Sequence, residues 1–211
     1  TIEFTLACLV VQFTIGFLFA MFFSKKFPLA GPIRGLVLVG YMMPMSVTAL
    51  LGKNLFLLDG GVINDLLMKV HLISSPIDWL VNGGTALGAV IAVNCWVGIP
   101  FNMLLLTSGL TGISTDIYES ASMDGANAFK RFIYITLPLM KPAMLSVLML
   151  GFIYTFKAFD LMYIMTAGGP FNSTDVLGTY AYSKAFTQYE FSQGSAIAMV
   201  LFACLFLVGI F

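Results

Sequence analysis

The sequence has few charged residues and few side chains that bind metals. Asp, Glu, Lys and Arg make up 9% of the 211 residues, whereas an ordinary soluble domain carries about 25%. Basic and acidic residues balance at ten each, so nothing indicates a nucleic acid as partner. The single histidine, His71, and the scattered acids form no metal-ligand cluster. We expect this chain to bind no metal or other cofactor of its own.

Cysteines and phosphate-binding glycines are also scarce. Cys8, Cys95 and Cys204 lie in apolar stretches without paired spacing, so we interpret them as small buried side chains rather than disulfide partners. The G-x-x-x-x-G-K-[ST] pattern of ATP-binding loops does not occur. The sequence therefore predicts a chain that is not an enzyme and does not hydrolyse ATP.

The chain is instead rich in apolar residues. They make up 59% of the chain and give a mean hydropathy of +0.96, so the lipid bilayer is the natural solvent. A spanning helix needs about 20 apolar residues. Five segments fit: 3–23, 33–52, 84–109, 143–166 and 191–211. The fold class is therefore predicted as all-α, a polytopic transmembrane helical bundle that forms a single domain over residues 1–211.

Basic residues in the loops predict the orientation, because cytoplasmic loops are enriched in Lys and Arg. The 24–35 loop holds Lys25, Lys26 and Arg34, and the 110–142 loop holds Lys130, Arg131 and Lys141. The alternate loops, 53–83 and 167–190, hold Lys53, Lys69 and Lys184. The first pair of loops is therefore placed in the cytoplasm. An odd number of spans then implies a sixth before Thr1, so the chain is expected to be a fragment that lacks both termini.

The 53–83 loop contains an apolar stretch, Val62–Ile73, between Gly60-Gly61 and Pro76. This pattern favours a short amphipathic helix on the outer surface, and an irregular loop is the alternative.

A polar island interrupts the apolar runs at residues 119–138. Glu119, Ala121, Gly125, Ile135, Leu137 and Pro138 follow the spacing E-A-A-x3-G-x9-I-x-L-P, with Ser120 in place of the second residue. Ser114 or Thr115 is a plausible N-cap, Gly125 suits a corner, and Phe129, Phe132 and Ile133 predict an apolar face on a second short helix. The residues thus predict a helix, a corner and a helix within 112–142.

This island resembles the EAA loop of permease subunits in binding-protein-dependent ABC importers. The resemblance implies the type I importer permease fold and a cytosolic coupling loop that docks on a separate ATPase. Its coupling residues would be Glu119, Ser120, Ala121, Asp124, Gly125, Leu137 and Pro138.

Three further segments extend the resemblance over most of the chain. Residues 93–101 are similar to V-N-x-W-x-G-x-P-[FY], residues 159–170 to F-D-L-I-Y-x-L-T-x-G-G-P, and residues 180–186 to Y-A-Y-x-x-A-F. These patterns are typical of carbohydrate uptake permeases of the MalF-, UgpA- and LacF-like type.

Polar and aromatic side chains inside the spans indicate a solute path, because such groups usually face a cavity or the bundle interior. By resemblance to the maltose permease, the path residues would be Tyr41, Met45, Asn94, Val97, Gly98, Phe101, Gly151, Tyr154, Thr155 and Ala158. Helix packing is the alternative role for Asn94 and Tyr41. Lys157 and Asp160 are interpreted as an i, i+3 ion pair, with substrate contact as the alternative.

The resemblance implies the transmembrane permease subunit of an ATP-driven importer for a sugar, oligosaccharide or sugar-like solute in the bacterial cytoplasmic membrane. Its partners would be a homologous permease, two ATP-binding cassette subunits that use ATP and Mg²⁺, and an extracytoplasmic binding protein. An ion-coupled carrier or channel is the alternative, with Asp160 as its one embedded acid. A membrane enzyme would need a catalytic cluster that the sequence does not contain.

Overall fold

The computed structural model describes residues 1–25 and 27–210, and every regular element in these ranges is helical. Lys26 of the first basic loop and Phe211 of the predicted fifth span lie outside the described residues. The all-α fold class is confirmed. The elements are α1 (Ile2–Phe23), α2 (Ala30–Met42), α3 (Met45–Leu55), α4 (Val62–Lys69), α5 (Gly83–Thr111), α6 (Thr115–Met123), α7 (Ala128–Arg131), π1 (Phe132–Thr136), α8 (Leu137–Phe156), α9 (Asp160–Met165), α10 (Leu177–Tyr182), π2 (Ser183–Thr187) and α11 (Phe191–Ile210).

Within residues 1–25 and 27–210, four helical stretches are long and apolar enough to cross a membrane: Ile2–Phe23, Gly83–Thr111, Ala128–Phe156 and Phe191–Ile210. Three of them, α1, α5 and α11, coincide with the predicted first, third and fifth spans. Their apolar composition runs almost the full helix length, so hydropathy alone locates them.

The predicted second span, 33–52, is not one straight helix. α2 and α3 meet at an angle of 96° across Met43 and Pro44. Proline disfavours helical geometry in the residue before it, and Pro44 itself is extended, with φ −56° and ψ 138°. Together α2 and α3 are long and apolar enough to form a fifth, bent span.

The fourth span begins and ends earlier in the chain than the predicted range, 143–166. Helical structure is continuous from Ala128 through π1 to Phe156, and it breaks before α9. Pro138 and Pro142 both lie within α8 and do not interrupt it. π1 comes shortly before Pro138. The Leu137 N–H donates to the Phe132 carbonyl in the wider turn of this π-helix. The wider turn accommodates Pro138, because proline has no N–H that could donate within the helix.

The short helix in the 53–83 loop is confirmed as α4, but it ends at Lys69 rather than at Ile73. His71 adopts a left-handed conformation with φ 58°. The amides of His71 and Leu72 donate to the carbonyls of Met68 and Leu67 at 3.0 and 2.9 Å, which closes the helix end in a Schellman motif.

The chain divides into two compact units. The first unit comprises Thr1–Cys8, Met42–Trp96 and Phe152–Phe211, and the second comprises Leu9–Tyr41 and Val97–Gly151. In the first unit α3 packs on α9, and a Cβ added to Gly52 would lie 2.6 Å from Val93 Cγ2. Cys8 and Cys95 are buried as predicted, whereas Cys204 is only half-buried.

The core of the second unit lies among α1, α5 and α8. Ala20, Leu106, Met140 and Val147 are almost fully buried, and partly buried side chains such as Phe13, Phe17 and Ala143 pack around them. Gly16 and Gly109 let the helices approach closely, because added Cβ atoms would lie 2.6 Å from Asn102 Cβ and 2.7 Å from Ala143 Cβ. Close approach at small residues is how membrane helices gain packing energy.

Candidate functional site

The polar segment 112–142 begins with a capped helix in the second unit. Ser114 is the N-cap of α6, and its hydroxyl accepts from the Asp116 amide at 3.3 Å. Asp116 lies in the first turn, where a carboxylate interacts favourably with the helix dipole. The predicted helix start is therefore confirmed, with Ser114 rather than Thr115 as the cap.

Gly125 forms the corner that follows α6. Its φ is +76°, and the amides of Gly125 and Ala126 donate to the carbonyls of Ser122 and Ala121 at 3.1 and 2.9 Å. These two bonds make a Schellman motif, which requires a left-handed residue at this position. A Cβ on Gly125 would have no atom within 4 Å among the described residues. Backbone conformation, rather than crowding within the described chain, therefore accounts for this glycine.

The second arm of the corner is α7, followed without a break by π1. Asn127 caps α7 by accepting from the Lys130 amide at 2.9 Å. Hydrogen bonds tie the two arms together: Tyr118 Oη and Thr136 Oγ1 lie 2.9 Å apart, and Arg131 Nη1 donates to Ser122 Oγ at 2.8 Å. The predicted helix, corner and helix are thus present and braced on both sides.

The seven predicted coupling residues are distributed over this structure. Glu119, Ser120 and Ala121 lie on α6, Asp124 and Gly125 at the corner, and Leu137 and Pro138 at the start of α8. Ala121 and Leu137 are half-buried and the other five are exposed. Their role remains a prediction, but the first five lie close together in the chain, within residues 119–125 at the corner.

The predicted apolar face of the second arm is only partly present. Phe132 packs against Phe17 with ring centroids 6.2 Å apart, whereas Phe129 is 72% exposed. The change to π geometry at Phe132 alters the helical register, so an i, i+3 spacing does not align the two rings. Phe129 and Met123, which is 89% exposed, are the large apolar side chains left uncovered near the corner.

The ten predicted path residues lie on four helices, α2, α3, α5 and α8, and on the segment after α8. Tyr41, Val97, Gly98, Phe101 and Gly151 belong to the second unit, and Met45, Asn94, Tyr154, Thr155 and Ala158 belong to the first. Asn94, Gly151 and Thr155 are buried, and Tyr41 and Tyr154 are exposed. The rings of Tyr41 and Phe101 stack, with centroids 5.5 Å apart.

Gln12 is a buried polar residue that the sequence analysis missed. Its side chain is 3% exposed on α1, and a Cβ added to Gly98 would collide with its amide group. Asn102, 1% exposed, donates to the Gly98 carbonyl at 2.8 Å. A lone Gln in an apolar helix is itself a signal of a buried polar contact. Gly98 therefore has a packing role as well as its predicted place on the path.

The interpretation of Lys157 and Asp160 as an ion pair is wrong. α8 ends at Phe156 and Asp160 begins α9, so the two residues do not share a helix. Among the described residues the ion pair is Lys184–Glu190, and Lys157 Nζ instead lies 5.1 Å from the centroid of the Tyr154 ring.

The family follows from a comparison with known sequences. Residues 12–211 match the model of the family described as binding-protein-dependent transport system inner membrane component. The chain belongs to this family. With its apolar helices, the chain is a multi-pass membrane protein.

Several relatives of this inner membrane component have names that state a solute. The trehalose/maltose transport system permease protein MalF of Thermococcus litoralis is 31% identical over 202 residues, which cover 96% of this chain and 68% of the relative. The sulfoquinovosyl glycerol transport system permease protein SmoG of Agrobacterium fabrum is 32% identical over 203 residues, covering 96% and 65%. A probable ABC transporter permease protein of Brucella suis is 33% identical over 172 residues, and the match spans 60% of its length.

Solved structures share the fold. A bacterial ABC transporter involved in the import of the acidic polysaccharide alginate matches with a TM-score of 0.83 and 19% identity, over 98% of this chain and 76% of that chain. The MetNI methionine ABC transporter matches with a TM-score of 0.67 and 14% identity, over 99% and 87%. The predicted type I importer permease fold is thereby confirmed.

Proposed function

We propose that the chain is the transmembrane permease subunit of an ATP-driven importer and forms half of the translocation path for a sugar, oligosaccharide or sugar-like solute. A homologous permease would supply the other half. Two ATP-binding cassette subunits would use ATP and Mg²⁺, and an extracytoplasmic binding protein would deliver the solute at the bacterial cytoplasmic membrane.

The corner at Gly125 is the observation that carries this proposal. A loop that served only to connect two helices would not need a capped helix, a Schellman corner and cross-braces. Rigid geometry with exposed apolar side chains at its tip is what a docking surface requires. Met123 and Phe129 supply the apolar part, at 89% and 72% exposure, and Glu119 supplies an exposed acid for a basic residue of the ATPase.

Closure of the two ATPase subunits on ATP would move the docked loop as a rigid body. Because α7, π1 and α8 are one continuous helical stretch from Ala128 to Phe156, displacement of the loop would be transmitted directly into the membrane. Such rigid transmission supports an alternating-access mechanism, in which the path opens to one side at a time.

The sugar class is supported by the names of the relatives and by the residue types of the predicted path. Aromatic rings stack on sugar faces, and buried hydrogen-bonding groups orient the hydroxyls. The stacked Tyr41 and Phe101 supply aromatic surface, and Asn94 and Thr155, at 7% and 5% exposure, supply polar groups.

Uptake by the complete chain reconstituted with its partner subunits tests the proposal. We expect solute accumulation to need ATP hydrolysis and the binding protein, and to survive collapse of the ion gradients. Uptake that continues without the ATPase subunits and stops when ion gradients are collapsed would favour an ion-coupled carrier instead.

The path residues make a separate prediction. Asn94→Ala and Thr155→Val should raise the solute concentration for half-maximal uptake several-fold, because a lost hydrogen bond costs about 0.5–1.5 kcal/mol. Uptake kinetics are compared with membrane abundance, which a packing defect would lower. Unchanged affinity in both variants would assign these residues to helix packing and place the sugar elsewhere.

A further inference from the structure

A cavity outside the predicted path lies between two loops of the first unit. Its volume is about 440 Å³, within the range of small-molecule sites. Its walls are formed by Lys53 near the end of α3, by residues 56–58, 78, 80 and 81, and by residues 163–167 at the end of α9 and after it. Lys53, Asp78 and Thr166 are its polar lining residues, and Phe56 and Tyr163 are aromatic ones.

A buried amide holds one wall of the cavity in place. Asn64 is 1% exposed, and its Oδ1 accepts from the Ile77 amide at 3.1 Å and from Trp79 Nε1 at 2.8 Å. Its Nδ2 donates to the carbonyl of Ile77 at 3.0 Å. Asp78 therefore lies between two residues that are both fixed to Asn64. A fully satisfied buried polar network of this kind gives a rigid local structure.

The same amide also reaches the other side of the cavity. Asn64 Nδ2 lies 3.2 Å from the carbonyl of Leu57 and 3.3 Å from that of Leu58. Both residues line the cavity a few positions after Lys53. The cavity is therefore built before a ligand arrives, which reduces the ordering that binding would cost.

The two charged groups of the cavity remain available for a ligand. Among residues 1–25 and 27–210, neither the Lys53 ammonium nor the Asp78 carboxylate has a hydrogen-bond or ion-pair partner. An ammonium only donates hydrogen bonds and a carboxylate only accepts them. Sugar hydroxyls do both, so one ring can satisfy the two groups while an aromatic ring packs on its apolar face.

We infer that this cavity is a second carbohydrate site, separate from the path, which binds one or two units of a neutral saccharide. A neutral ligand is favoured because the two charges of the cavity sum to zero. The inference rests on the proposed function, since it takes the 53–83 and 167–190 loops to face the outside, where solute arrives. Sugar held there would stay close to the transporter after its release from the binding protein.

Trp79 lies between the lining residues Asp78 and Leu80 and provides a nearby readout. Its ring centroid lies 5.9 Å from that of Phe56, and Trp96 is the only other tryptophan in the sequence. The experiment uses the complete chain with its partner subunits in lipid nanodiscs, with Trp96→Phe and without the binding protein. The same assembly carrying Trp79→Phe as well is the blank, because the partner subunits and residues outside this sequence can contain further tryptophans. Neutral saccharides from monosaccharides to pentasaccharides, including maltose and trehalose, are titrated while Trp79 fluorescence is recorded.

We expect a saturable change in fluorescence with at least one neutral saccharide. Lys53→Met and Asp78→Asn should each weaken that binding about tenfold or more, because hydrogen bonds to charged groups are the stronger ones. Lys69→Met and Asp65→Asn are the matched controls on exposed positions of α4 and should leave it unchanged. Asn94→Ala, which alters the predicted path, should also leave it unchanged.

Three results would overturn the inference. They are no saturable change with any saccharide, equal weakening by the α4 controls, and tighter binding of an acidic than of a neutral saccharide. Thermal melting of each variant identifies loss of folding. Lys53→Gln is a second, polar substitution at the same position and is measured in the same way. Fluorescence does not depend on uptake, so failure of this site and failure of the proposed transport are distinguishable.

Discussion

Glycine serves two opposite purposes in this chain. Gly125 has an unusual backbone conformation, with φ +76°, and open space around its missing side chain. Gly98 lies inside α5, and the amide of Gln12 occupies the place of its side chain. Substitution at the first site strains the backbone, whereas substitution at the second causes a collision. The two sites therefore respond to different replacements.

Gly125→Leu should reduce uptake and loosen the ATPase subunits while the chain stays in the membrane. A left-handed conformation costs a branched or bulky residue about 1–3 kcal/mol, so the Schellman corner would open. Uptake rate and co-purification of the ATPase are the measurements. Gly125→Asn should retain most activity because Asn tolerates this conformation. Gly35→Leu, in open space on α2, is the control, and equal loss in all three variants would contradict the account.

Gly98→Ala should lower the melting temperature of the purified transporter, because the new methyl group collides with the Gln12 side chain. Overpacking of this kind typically costs about 1–3 kcal/mol. Gln12→Ala creates the missing space, so the double variant should be more stable than the sum of the two single effects predicts. Thermal melting of the two single variants and the double variant gives the coupling, and simple additivity would show that the two residues do not contact.

At the scale of elements, the coupling loop depends on a bond between its arms. Tyr118 lies on α6 and Thr136 ends π1, and their hydroxyl oxygens are 2.9 Å apart. Thr136 is buried, at 7% exposure, and its hydroxyl also lies 3.4 Å from the Arg131 carbonyl. The bond sets the angle at which α6 leaves the helical stretch that enters the membrane.

Tyr118→Phe and Thr136→Val should each destabilise α6 by about 0.5–1.5 kcal/mol, the net value of one hydrogen bond. Faster amide hydrogen exchange in Thr115–Met123 would report the loss, with exchange in α11 as the internal reference. The double variant should cost little more than either single variant, because the bond can be lost only once. Full additivity would mean that the two hydroxyls act separately.

The sequence predicted those elements whose position depends on a short local pattern of residues. Ser114 and Gly125 carry the signals for a helix start and a corner, and hydropathy located α1, α5 and α11. The end of α8 was missed because residues 157–166 remain largely apolar, so composition does not distinguish one helix from two. The bend at Pro44 had a local signal that the apolar run outweighed. The contact between Gln12 and Gly98 depends on helices far apart in sequence, so no local pattern contained it.

At the scale of the whole molecule, the proposed orientation can be tested by chemical labelling. Met123, next to the Gly125 corner, and Asp59, in the 53–83 loop, are both exposed and therefore suit single cysteines. In intact cells without the ATPase subunits, an impermeant maleimide should label Asp59→Cys but not Met123→Cys. Permeabilisation should make Met123→Cys reactive. The native cysteines are replaced in this background, and the opposite labelling pattern would reverse the proposed topology.

The uncovered side chains at the corner also bear on how much of this protein a cell keeps. Met123 and Phe129 are 89% and 72% exposed, and on the proposed topology they face the cytosol. Until an ATPase subunit covers them, they form the kind of apolar surface that chaperones and proteases recognise. Copies made in excess of the ATPase would then be degraded selectively. The supply of the partner would thereby set the abundance of the permease, and balanced assembly would follow without a dedicated regulator.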